Sequence, residues 1–150
     1  MKRIFQPSVT NEVIERINKL SSTTPPLWGK MSVAQMLAHC NVTYEMVYDD
    51  IHPKPNALLK FILKSFVKSK VVGEQPFPKN SKTAPQFIIT DEKEFEKEKT
   101  RLINHLTQTQ QLGESYFDGK ESHSFGKLTA NEWNNMFYKH LDHHLTQFGV

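Results

Sequence analysis

Thr129-Ala-Asn-Glu-Trp-Asn-Asn-Met-Phe-Tyr-Lys-His-Leu-Asp-His-His-Leu-Thr-Gln-Phe148 decides the fold class of this chain. It opens with a capping box. The side chains of Thr129 and Glu132, three residues apart, can each satisfy a backbone N–H that the start of a helix leaves unpaired. Leu128 and Trp133 stand at the two positions of a hydrophobic staple. Trp133, Met136, Phe137, Leu141 and Phe148 then recur at steps of three and four, and His140 and His144 fall in the same stripe. That period predicts a helix and not a strand. It also predicts that two imidazoles ride on the buried face.

His140 and His144 are one helical turn apart, so they stack on one side of the helix and can reach a single divalent ion. The same spacing places two ligands in His-Glu-x-x-His metalloproteases, although the Glu that acts there as base is missing here. Two readings stand for such residues. A lone inward histidine is ordinarily a hydrogen-bonded core residue, whereas a buried pair is costly unless something satisfies both rings, as a metal ion does. His39, three residues after Met36, borders the apolar stripe of an earlier helix and supplies a candidate third ligand. His143 lies about 60° round the helix from His140; it could be a ligand, but is expected first beside a ligand or at the rim. Gln147, three residues past His144, is placed either to hydrogen-bond near the site or to end a fraying terminus. Cys40 is expected to be a small core residue rather than a fourth ligand.

Outward from this segment, the rest of the chain predicts three more core helices and one accessory helix. Residues 8 to 20 carry Val9, Val13, Ile17 and Leu20 at helical spacing and stop before Pro25-Pro26. Ser32 and Gln35 make a second capping box with Met31 and Met36 as staple, opening a helix that fades near Asp49-Asp50. A third runs from about 91 to 110, with Asp91 and Glu94 as an N-cap pair and Gly113 closing it. His105 lies on it without a partner at ligand spacing and is expected on the surface or in packing. Residues 56 to 72 read as the short accessory helix, with Lys60, Lys64 and Lys68 on a solvated edge; a membrane-surface contact is the alternative. Residues 73–89 and 113–128 are expected to be two long loops, the first a lid or site wall. The second holds His123, to which spacing assigns no role. Alternating apolar and polar strands are missing, so the architecture expected is an all-α helical bundle in a single domain, 1–150.

Bulk properties narrow the function. With 37% hydrophobic and 23% charged residues, the chain is expected to fold as one soluble globular domain. A formal charge of +3 does not argue for nucleic acid, and no partner of that kind is expected. No stretch of about 18 apolar residues predicts a membrane span. The first residues lack a signal-peptide core, and the single Cys40 rules out an internal disulfide, so a cytoplasmic location is expected. There is no Ser-His-Asp set and no Gly-rich phosphate loop, and Glu45 and Asp142 are expected to be ordinary surface residues. Three neutral imidazoles would leave a metal open to a further ligand, as in catalytic sites. They suit Zn, Ni, Cu or Fe, with Zn or Ni expected first. The partner expected is a small-molecule substrate, and a homodimer stays open.

His39 and His140-Leu-Asp-His143-His144-Leu-Thr-Gln147 resemble the DinB/YfiT superfamily of metal-dependent proteins. That superfamily has a His in its second helix and a His-x-x-x-His pair in its last, often as His-x-x-His-His-x-x-Gln. The flanks Trp28-Gly-Lys-Met-Ser-Val-Ala-Gln-Met-Leu-Ala-His39 and Phe125-Gly-Lys-Leu-Thr-Ala-Asn-Glu-Trp133 are similar to a branch with no assigned reaction, over nearly the whole chain. Leu145-Thr146 stands where Arg-Gly is commoner. The resemblance implies a DinB-like four-helix bundle with a divalent metal on His39, His140 and His144. It also implies an enzyme class that includes S-transferases with a low-molecular-weight thiol as co-substrate. A hydrolase, or a non-catalytic metal- or ligand-binding bundle acting as a stress-associated sensor, are the other expectations.

Overall fold

The structure is a computed structural model that describes residues 1–49 and 51–150. It is predominantly helical. Helix α1 spans Pro7–Asn18, α2 Val33–Tyr48, α5 Phe95–Phe117 and α6 Ala130–Gln147. Between α2 and α5, helices α3 (Ala57–Ile62) and α4 (Lys68–Val72) are joined without a break by a π-helical stretch, Leu63–Val67. A single 3-10 turn, Pro85–Phe87, and a two-stranded hairpin, β1 (Glu121–Ser122) with β2 (Gly126–Lys127), complete the chain. The expected fade of α2 at Asp49-Asp50 is met at Asp49, which caps the helix in extended conformation; Asp50 lies outside the described residues.

Both capping boxes form. Ser32 accepts from the Gln35 N–H while Gln35 accepts from Ser32, and Thr129 and Glu132 do the same. These fix where α2 and α6 begin, and so the rotation at which their histidines emerge. The four long helices pack around one core, α2 along α5 and α6, with α1 against α5 and α6. Ile17, Met36, Leu37, Leu102, Leu106 and Phe137 are fully buried in it. An aromatic stack sets α6 against α2: the Phe137 ring lies 5.0 Å from Tyr44 at 5° and 5.4 Å from Trp133. One turn beyond that stack α6 reaches His140.

Three sequence expectations need correction. The third core helix starts at Phe95 with no side-chain cap at Glu94, and Asp91 pairs with Lys93 (2.7 Å) instead of capping. It also continues to Phe117. Gly113 breaks the helical path with φ +70, a conformation that costs glycine little, and a further turn follows. Consequently 113–128 is not a plain loop: it holds that last turn and the hairpin, which Ser122 closes by bonding the Gly126 carbonyl (2.8 Å) and the Phe125 N–H (2.9 Å).

Candidate metal centre

α2 delivers His39 and α6 delivers His140 and His144 to one point. One ring nitrogen from each lies within 4.8 Å of the other two. The His39 and His140 Nε2 atoms are 2.9 Å apart. Ring centroids stand 4.5 Å apart for His39 and His144, and 4.8 Å for His140 and His144.

The outer nitrogen of each ring is held. His39 Nδ1 lies 2.8 Å from the Phe87 carbonyl, an acceptor only, so Nδ1 carries the proton and Nε2 a lone pair. His144 follows by one more step. Gln147 Nε2 donates to the Trp28 carbonyl (2.7 Å), which turns Gln147 Oε1 toward His144 Nδ1 (2.8 Å). That oxygen can only accept, so His144 also presents its Nε2 lone pair. His140 Nδ1 meets the Thr43 hydroxyl at 3.0 Å, which serves either tautomer. Such outer hydrogen bonds are the usual means of orienting metal-binding imidazoles.

Burial keeps the rings neutral. It pushes His144 down to about 3 and His140 well below the ordinary histidine value, and it lowers His39 despite the Phe87 bond. Neutral imidazoles are the form that ligates. The donor set therefore suits a divalent ion. Two nitrogens bound to one tetrahedral zinc at 2.0–2.1 Å stand about 3.4 Å apart; the 2.9 Å between the His39 and His140 nitrogens is about half an ångström short of that, and the three nitrogens, all within 4.8 Å of one another, bracket it.

The cluster lies in the wall of a cleft of about 900 Å³. The segment before α5 forms one side, as expected of a site wall: Phe87 bonds His39, and the Phe77 ring packs edge-on against His140 and His143. His143 is half-buried at the edge of the cleft, between Trp28 and Phe77, each 5.8 Å away. His123 also lines the cleft, bonded to the Ser124 hydroxyl. Cys40 is buried in the core beside Met36, and burial raises its thiol far above the reactive range. His105 is a packing residue, stacked 5.4 Å from Tyr44 and bonded to Asn41.

Glu45 is not a surface residue. It is buried between His52 (2.7 Å) and Arg101, and Arg101 reaches on to Glu98 (2.7 Å). Burial would raise its carboxyl, but the His52 and Arg101 hydrogen bonds outweigh that and hold it below the usual range. Asp142 does stay half-exposed, paired with Arg16. Two residues beside the site carry no motif in the sequence. Gly29, at φ +85, leaves room for the Gln147 amide, which a Cβ there would meet at 2.6 Å. Lys139 is buried, its ammonium bonded to the carbonyls of Lys70 (2.8 Å) and Gly73 and lying 4.5 Å from the Phe77 ring.

Fold and site together define a predominantly helical protein with a three-histidine cluster able to hold a metal ion. Residues 2–149 match the family described as Protein of unknown function (DUF1569), and the chain belongs to that family. No curated protein and no solved structure matches it.

Proposed function

We propose that this chain is a divalent-metal-dependent enzyme of DinB-like four-helix-bundle type, with His39, His140 and His144 holding zinc or nickel. The observation that carries the reading is the convergence of the three rings, with the proton on Nδ1 fixed by an acceptor in two of them. A bound divalent ion supplies Lewis acidity to a thiol or a water beside it. The chain's own residues do the rest. Phe87, Thr43 and Gln147 hold the rings in register, and the apolar cleft limits water. No carboxylate lines the cleft among the described residues, and His143, its ring 5.0 Å from that of His144, is the histidine placed to take a proton beside the ion. The reaction class that fits is S-transfer from a low-molecular-weight thiol, or hydrolysis.

Elemental analysis of protein purified without chelator or nickel resin tests the ion. About one equivalent is expected, with a sharp loss in His140→Ala and His144→Ala and none in His105→Ala. A panel of thiols and electrophiles then tests the chemistry, and turnover that vanishes with the metal is the expected result. A non-catalytic metal-binding bundle is the second reading, favoured by the absence of any carboxylate from the cleft lining among the described residues. Stoichiometric metal without turnover across the panel would favour that reading.

A further inference from the structure

The cleft above the histidines has a lining of a definite character. Helices α3 and α4 form one long wall, on which Leu59, Leu63, Val67 and Val71 all line the cleft. Residues four apart overshoot a full α-helical turn by about 40°, so four of them in a plain helix would wind away from any one groove. The π-helical stretch Leu63–Val67 turns less per residue and takes back part of that overshoot. The result is an apolar strip of roughly 18 Å, from the twelve steps between Leu59 and Val71 at about 1.5 Å each.

The cleft is also lined by Met31, Met46 and Met136, three of the chain's five methionines. Methionine is the apolar side chain that adapts most readily to variable shapes. The charged groups are one-sided. Lys30 and Lys82 line the cleft, and no Asp or Glu does among the described residues. At about 900 Å³ the space lies toward the upper end of small-molecule sites.

We propose that the cleft binds an elongated apolar molecule with an anionic head, of the class of a medium- or long-chain carboxylate. The head lies at the three histidines, and the body lies along Leu59, Leu63, Val67 and Val71. Placing the head at the histidines rests on the metal reading above; the apolar body rests only on the lining.

Calorimetric titration of zinc-loaded and zinc-free protein with hexanoate, octanoate and decanoate, and with glutathione as a hydrophilic thiol, tests this. Affinity is expected to rise about fourfold per methylene, the value of burying one CH₂, and decanoate is expected to bind more tightly than glutathione. Val67→Glu and Leu63→Gln, at half-buried positions, should weaken decanoate at least tenfold with zinc content and helical circular dichroism unchanged. His140→Ala should lose zinc and weaken the whole series while keeping its slope. A series flat in chain length, or glutathione binding more tightly than decanoate, overturns the proposal. Elemental analysis reads the metal separately: a steep series on protein that takes up no zinc sinks the metal reading and the placement of the head, and leaves the apolar body standing.

Discussion

Gln147 works with both ends of one amide. Its N–H₂ is committed to the Trp28 carbonyl, and its oxygen is thereby committed to His144. Gln147→Leu would leave the ring free to turn or change tautomer, so metal affinity is expected to fall about 10–100-fold. Competition with a chromogenic chelator measures this, and unchanged affinity would show that His144 is oriented by packing alone. Gly29→Ala should act on the same bond, because a Cβ would stand 2.6 Å from the amide nitrogen at a φ that side chains disfavour. Reduced zinc affinity without loss of helix is the expected signature. The paired histidines were legible because their spacing is local. Gly29 was not, since the atom that excludes a side chain there comes from a residue more than a hundred positions away. Glu45 was misjudged for the same reason: its partner Arg101 lies on a different helix, and sequence shows a charge without showing what answers it.

Helices α2 and α6 could be read almost to the residue, because a capping box is a four-residue pattern with a physical cause inside it. Ser32→Ala removes the acceptor of the Gln35 N–H and is expected to cost about 1 kcal/mol, visible as a lower midpoint in urea. The element that sequence described least well is the accessory helix. Its lysines were expected on a solvated edge, and Lys64 is exposed, while the half-buried Lys60 and Lys68 pair with Glu121 (2.6 Å) and Glu132 (2.8 Å). Leu58, Phe61 and Phe66 are strongly exposed as well, which the pattern did not show. A basic stripe at four-residue intervals fits an α-helix whatever it faces, and a π turn leaves no mark in the pattern of residue types. The start of α5 is not legible in the same way: Asp91 has a competing partner two residues on, in Lys93.

For the molecule as a whole, the buried histidines link folding to pH. His39, His140 and His144 all have folded pKa values below the unfolded value of about 6.5. The unfolded chain therefore binds more protons once the pH drops below that value. Stability is fully present above about pH 6.5 and is lost as the pH falls toward the folded values, about 3 for His144. Glu45, held below the usual carboxylate range, adds its own loss only at lower pH. Metal-free protein should therefore melt progressively lower between pH 6.5 and 5, with a shallower slope in His144→Gln; a melting temperature constant over that range would contradict the burial of the rings. Lys139 has a consequence of another kind. With Asn135 bonding the Val72 carbonyl (3.0 Å), it pins the last turn of α4 to α6, whereas α3 at the far end buries no residue. The span from Ala57 to Val72 is anchored like a door along one jamb. Its backbone amides should exchange with deuterium fastest near Leu59 and slowest near Val72, and Lys139→Met, which leaves the Asn135 bond in place, should flatten that gradient by loosening the post on which the door swings.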